Sequence, residues 1–150
     1  MKLALTLVTI TLLATFAGAA TVDFNSYSPL DVCTNSVSTG GLDFNSGVDC
    51  IGSYMYVWDG SSPNGNGTPA LIFAGFGSGN SMTMSLTGGG SFTLNSVDMT
   101  ISWYDANPME TIMVNGSTPI MLMQGLMTYP LNLTGTSFTF SDLPSGSAIG

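Results

Sequence analysis

Histidine and arginine are absent from this 150-residue chain, and its one lysine is Lys2. Without imidazole there is no Ser-His-Asp or Cys-His nucleophilic site, and most catalytic zinc sites lose a required ligand. Lys2 lies in a leader-like segment, so processing would leave no basic side chain and move the formal net charge from −8 to −9. A surface without cations cannot neutralise phosphates, which excludes nucleic acid as a partner. Charged residues make up only 7% of the chain and apolar residues 44%. That balance lies outside the composition of disorder and suffices for the core of one domain.

What is present begins with a leader. Residues 1–19 read Met-Lys, an uncharged run over residues 3–16, then Ala17-Gly18-Ala19. Small residues three and one positions before a cut mark a secretory signal peptide, which predicts a mature domain of residues 20–150. The rival reading is a retained anchor, because residues 3–20 just reach spanning length. Four threonines, a glycine and the Ala-x-Ala site favour cleavage. No second apolar run of that length follows, so the product is expected to be secreted or held at the cell surface, with no membrane segment unless a C-terminal anchor is missing. Cys33 and Cys50 are the only cysteines. In an exported chain an even pair predicts a disulfide, worth about 3 kcal/mol in the chain-entropy account, and two buried thiols are the alternative.

Beyond residue 20 the pattern has period two and no helical spacing. Residues 53–59 set Tyr54, Tyr56 and Trp58 on one side and Met55 and Val57 on the other, and residues 70–74 form a short apolar run. In residues 81–94, Met82, Met84 and Leu86 alternate with hydroxyls, three glycines follow, and Phe92 and Leu94 resume the alternation. A glycine-loop hairpin would oppose Leu86 to Phe92 and Met84 to Leu94, with every apolar residue on one face. The parity then shifts to Val97, Met99, Ile101 and Trp103, which predicts a bulge or a tight corner at Asn95-Ser96. Asn115-Gly116 signals a type I′ turn, but a two-residue loop would oppose Val114 to Ser117, so a longer loop containing Gly116 stays open. Further strands are expected at residues 111–114, 120–123 and 137–140, with Pro108, Pro119, Pro130 and Pro144 as breaks. The peptide VDFNS at residues 22–26 returns as LDFNS at 42–46. Two copies do not make a solenoid. About eight or nine short strands predict an all-β, antiparallel two-sheet β-sandwich, jelly-roll-like. An immunoglobulin-like sandwich is disfavoured because Cys50 precedes Trp58.

The candidate chemistry is acidic and aromatic. Of nine acids eight are aspartates, and Glu110 is the only glutamate. Oxygen ligands suit calcium, for which Asp23, Asp43 and Asp59 are the candidates, although residues 59–67 lack the spacing of an EF-hand. Glu110 with an aspartate is the one arrangement left for a glycan-active enzyme. After Pro108-Met109 a turn is expected there, and a solvated carboxylate is its ordinary occupant. Tyr54, Tyr56, Trp58 and Tyr104 offer flat faces for sugar rings, whereas strand spacing also suits them to a core. Tyr104, one step past Trp103, is the better surface candidate.

Residues 61–105, SSPNGNGTPALIFAGFGSGNSMTMSLTGGGSFTLNSVDMTISWYD, carry Asn66-Gly-Thr68 before an apolar strand and the Phe-x-Leu-x-Ser-x-Asp of Phe92 to Asp98, and Phe138-Thr-Phe140 follows later. This pattern resembles the jelly-roll domain of PEP-CTERM-type exported bacterial proteins, and fungal secreted β-sandwich proteins share its Phe-x-Leu-x-Ser part. The chain departs from the bacterial group in lacking the Pro-Glu-Pro motif, apolar helix and basic tail. The resemblance therefore implies either a released form or a C-terminally truncated sandwich missing its closing strand, and the second predicts an unpaired edge at residues 21–25. The expectation is a secreted, non-enzymatic module of the extracellular matrix or cell envelope that binds polysaccharide. The alternatives are an acidic-residue glycan-active enzyme and a purely structural or adhesive surface protein.

Overall fold

The computed structural model describes residues 20–26, 35–46, 53–58, 69–75, 81–101, 109–141 and 147–149. The leader, Cys33, Cys50, Asp59, Trp103, Tyr104, Pro108 and Pro144 lie outside the described residues. Among those described there is no helix and thus none long and apolar enough to cross a membrane. The strands are β1 Ser36–Thr39, β2 Leu42–Asn45, β3 Ser53–Trp58, β4 Ala70–Gly75, β5 Ser81–Leu86, β6 Phe92–Thr100, β7 Met109–Val114, β8 Thr118–Met123, β9 Met127–Gly135, β10 Ser137–Ser141 and β11 Ser147–Ile149.

They form an antiparallel β-sandwich. One sheet has the order β1-β2-β5-β10-β7-β8 and the other β3-β4-β11-β6-β9. Period-two burial drives the assembly, because alternate residues of β1, β2, β5, β7, β8 and β10 face the opposing layer. Met82, Met84, Ile112, Val114, Ile120, Leu122, Phe138 and Phe140 come from the six-stranded sheet, Val57, Leu71, Val97 and Met99 from the other, and Ile101 from the residue just after β6. Phe92 and Phe138 meet across the layers edge to face, with ring centroids 5.0 Å apart.

Three expectations are corrected. Residues 81–94 are not a hairpin: β5 pairs with β2 and β10, and β6 with β9 and β11. Gly88, Gly89 and Gly90, all at positive φ, carry the chain from one sheet to the other. Met84, Leu86, Phe92 and Leu94 still share one interior, because a crossing between layers preserves inward parity as well as a hairpin does. Pro119 and Pro130 do not break strands but lie within β8 and β9. Both are edge strands, where a missing N–H costs no ladder bond. β11 is paired between β4 and β6, inside the five-stranded sheet. Residues 21–25 form no strand edge. Asp23 Oδ1 accepts the Asn25 N–H at 3.1 Å, closing a local turn, and the Thr39 hydroxyl donates to the Asp23 carbonyl at 3.0 Å. Phe24 enters the core and packs 5.4 Å from Phe44, so the two repeated peptides meet through their phenylalanines.

Two other features resolve in the open direction. The register between β6 and β9 shifts between Leu94 and Ser96, where β9 supplies one extra residue. The loop after β7 is the longer one: Asn115 and Gly116 have positive φ as a type I′ turn requires, and the Ser117 N–H donates to the Val114 carbonyl at 3.1 Å. Ser117 is an added residue that pairs Val114 with Thr118 and brings Ile112 opposite Ile120 in the core.

Phe140 is fully buried and Met121 is 56% exposed. Phe140→Ala is expected to lower unfolding free energy by about 3–5 kcal/mol and Met121→Ala by less than about 0.5 kcal/mol, read by urea denaturation. Equal losses would contradict this assignment of the core.

Candidate functional site

The outer face of the six-stranded sheet is built by residues that alternate with the core positions. Four adjacent strands contribute only small polar side chains there. One row runs Ser38, Asp43, Ser85, Ser137, and the next runs Ser36, Asn45, Thr83, Thr139, each residue paired in register with the one beside it. Ser81 and Ser141 begin a third. Neighbouring strands lie about 4.8 Å apart and successive outward residues about 6.7 Å, so the rows make a regular two-dimensional array of hydroxyl and amide groups.

Within this array Asp43, Asn45, Ser46, Ser81, Thr83 and Ser85 line an open depression of about 430 Å³. Its walls are tied together. The Thr83 and Thr139 hydroxyls are 3.0 Å apart. Ser46 closes the end of the β1–β2 hairpin, its N–H donating to the Asn35 carbonyl at 2.9 Å and its hydroxyl to the same oxygen at 3.3 Å. Among the described lining residues Asp43 alone is charged, and it accepts a 2.7 Å bond from the Thr87 hydroxyl. Hydrogen bonds from Ser38 and then Thr87 hold its carboxyl below the ordinary value of 3.8, against a smaller opposing effect of burial. Each hydroxyl can donate and accept, and each amide side chain does both through separate atoms. The face can therefore match a ligand rich in hydroxyls without a charge of its own.

The residues singled out from sequence are distributed differently. Asp43 lies in the depression, and Asp23 is engaged in its turn with Asn25. Among the described residues no three His, Cys, Asp or Glu gather as a metal group. Tyr54, Tyr56 and Trp58 occupy alternate positions of edge strand β3, in antiphase with buried Val57, and their side chains lie outside the described set. Glu110 is half-buried on β7 opposite Leu122. Asn45, Ser46, Ser81, Thr83 and Ser85 were not candidates from sequence. Their signal was the Ser/Thr alternation at 81, 83, 85 and again at 137, 139, 141, which marks an outward face but not which strands adjoin. Comparison of the chain with models of known protein families, with curated proteins and with solved structures finds no match.

The lowered Asp43 pKa fixes the sign of a pH effect. Its stabilising contribution is present above the unfolded value and is lost as pH falls through the lower folded value. The melting temperature of the wild type should therefore fall more than that of Asp43→Asn between about pH 6 and about pH 2, the other carboxylates cancelling in the difference. Parallel curves would show that the Ser38 and Thr87 bonds contribute nothing.

Proposed function

We propose that this chain is a secreted, non-enzymatic β-sandwich module of the extracellular matrix or cell envelope that binds neutral polysaccharide on the outer face of its six-stranded sheet. The observation that carries the proposal is the depression lined by Asn45, Ser46, Ser81, Thr83 and Ser85 with the single carboxylate of Asp43. Sugar hydroxyls are donors and acceptors at short intervals, and a fixed array of the same chemistry can pair with them without unpaired charge. A formal charge of −8 with no arginine or histidine opposes uronate or sulfated chains, which selects neutral polymers. The same lining favours binding over hydrolysis, because glycosidases place two carboxyl groups about the scissile bond.

Export is supported by the residue 1–19 pattern and by the resemblance to PEP-CTERM-type exported proteins. The disulfide is supported by the hairpin that brings its neighbours together. Asn35 and Ser46 are hydrogen-bonded partners, and Cys33 and Cys50 lie two residues before and four residues after them. On secreted protein, a maleimide reagent should label neither cysteine before reduction and both after it. Labelling of the unreduced, unfolded chain would remove the disulfide from the proposal.

Binding is tested by affinity electrophoresis of the mature chain through gels carrying neutral glucan, mannan or galactan, with alginate as the anionic control. At least one neutral polymer should retard the protein and alginate should not. Thr83→Val with Ser85→Ala should weaken that retardation by about tenfold or more, equivalent to about 1.4 kcal/mol, without changing the fold by circular dichroism. Free migration through all neutral gels, or retardation that the double substitution leaves intact, would overturn the proposal.

A further inference from the structure

The other half of the same outer face has a different composition. Beyond β10 the outward positions of β7 are Met109, Thr111 and Met113, and those of β8 are Pro119, Met121 and Met123. Among the described residues the exposed large apolar side chains are all methionines: Met109 at 52%, Met121 at 56%, Met123 at 42% and Met127 at 44%. Three of these four belong to one pair of strands. Met109 is directly opposite Met123, Met121 is opposite Thr111, and Met113 is opposite Pro119. Met121 is thus the diagonal neighbour of both Met109 and Met113. Directly opposed Cβ atoms in an antiparallel pair are about 5 Å apart and diagonal ones about 7–8 Å, a span that two unbranched thioether side chains can close from either side.

The platform beneath them is held from both layers. The Met123 N–H donates to the Tyr129 hydroxyl at 3.1 Å, and its carbonyl accepts the Ile101 N–H at 3.3 Å and the Thr100 hydroxyl at 3.4 Å. Ile112, Ile120 and Leu122 anchor the two strands in the core on the reverse side. The sulfurs are therefore presented from a fixed backbone, as a coordination shell on a rigid scaffold requires.

We propose that Met109, Met121 and Met123 form a thioether site for a soft monovalent cation, Cu(I). Thioether sulfur is a soft, neutral ligand, and soft sulfur donors select Cu(I) over the hard cations that carboxylates bind. The site needs neither histidine nor free thiol, and this chain has no histidine. Thioethers carry no proton to displace, so binding should not depend on pH, unlike binding to carboxylate or thiolate. The net negative charge adds a favourable field for any cation. Binding here is independent of the hydroxyl face and of any polysaccharide.

The test uses the mature chain with its cysteines oxidised or alkylated, labelled with ¹³C at methionine methyls, and titrated with Ag(I) as a redox-inert stand-in and with Cu(I) under ascorbate and argon. One cation should bind per chain. Methyl signals of Met109, Met121 and Met123 should shift together, while buried Met82, Met84 and Met99 stay in place. The affinity should be the same at about pH 5 and about pH 8. Met121→Leu with Met123→Leu, which keeps apolar bulk at exposed positions, should weaken binding by about a hundredfold, or about 2.7 kcal/mol. Equal shifts at Met127 and Met121 would reduce the effect to thioether exposure alone and overturn the site. So would unchanged binding in the double variant, or concentration-dependent self-association through this face without metal, which would make it an interface between copies.

Discussion

Two pleated layers closing on one another impose a single rule on the strands of the six-stranded sheet, and on the middle of β6: one residue in two faces the opposite sheet and is apolar. Met82, Met84, Phe138 and Phe140 obey it from one layer, Val97 and Met99 from the other, and all are buried. At roughly 1.5–3 kcal/mol for each large side chain removed from water, these rows are the dominant favourable term in holding the fold together. The remaining positions are thereby released from packing. Their chemistry is free to differ from strand to strand, and on the six-stranded sheet it does.

The division of that outer face follows strand order. Hydroxyl and amide groups cover β1, β2, β5 and β10, while methionines cover β7 and β8. The boundary falls between β10 and β7, where Ser141 pairs with Met113. A hydroxyl array exchanges hydrogen bonds with water at little net cost, so it can hand those bonds to a polar ligand with small loss. Exposed methionines gain nothing from solvent. Their presence on the side of the sheet opposite a well-filled core is what directs attention to their sulfur.

The edges show how the same rule tolerates exceptions. Pro119 and Pro130 occupy edge strands, where no neighbour asks for the missing N–H, and both blunt the strands as templates for further pairing. Asn115 extends β10 in another way. Its side-chain oxygen accepts the Thr139 N–H at 2.9 Å while its own N–H donates to the Thr139 carbonyl at 2.7 Å. The turn residue thus replaces the next ladder pair beyond Phe140 and Val114.

Alternation was legible in the amino-acid string because it is local. It yielded the all-β class, the inward faces of residues 81–94, the parity shift after Leu94 and the strand within residues 53–59, while the strand over residues 70–74 shows as a continuous apolar run. Alternation says nothing about partners, and so the glycine-linked β5 and β6 read as one hairpin when they belong to opposite sheets. The β1–β2 hairpin and β9 went unread, the first because its two strands have only four residues each, the second because Pro130 interrupts a pattern that an edge strand accommodates. The hydroxyls of Thr83, Ser85 and Thr139 could be assigned to a surface from sequence, but only the non-local order β2-β5-β10 sets them beside one another and beside Asp43. What the string of residues determined by itself is which side of each strand is dry, since that depends on neighbours one and two places away. Which dry and wet rows meet depends on contacts tens of residues apart, and these are decided when the layers close.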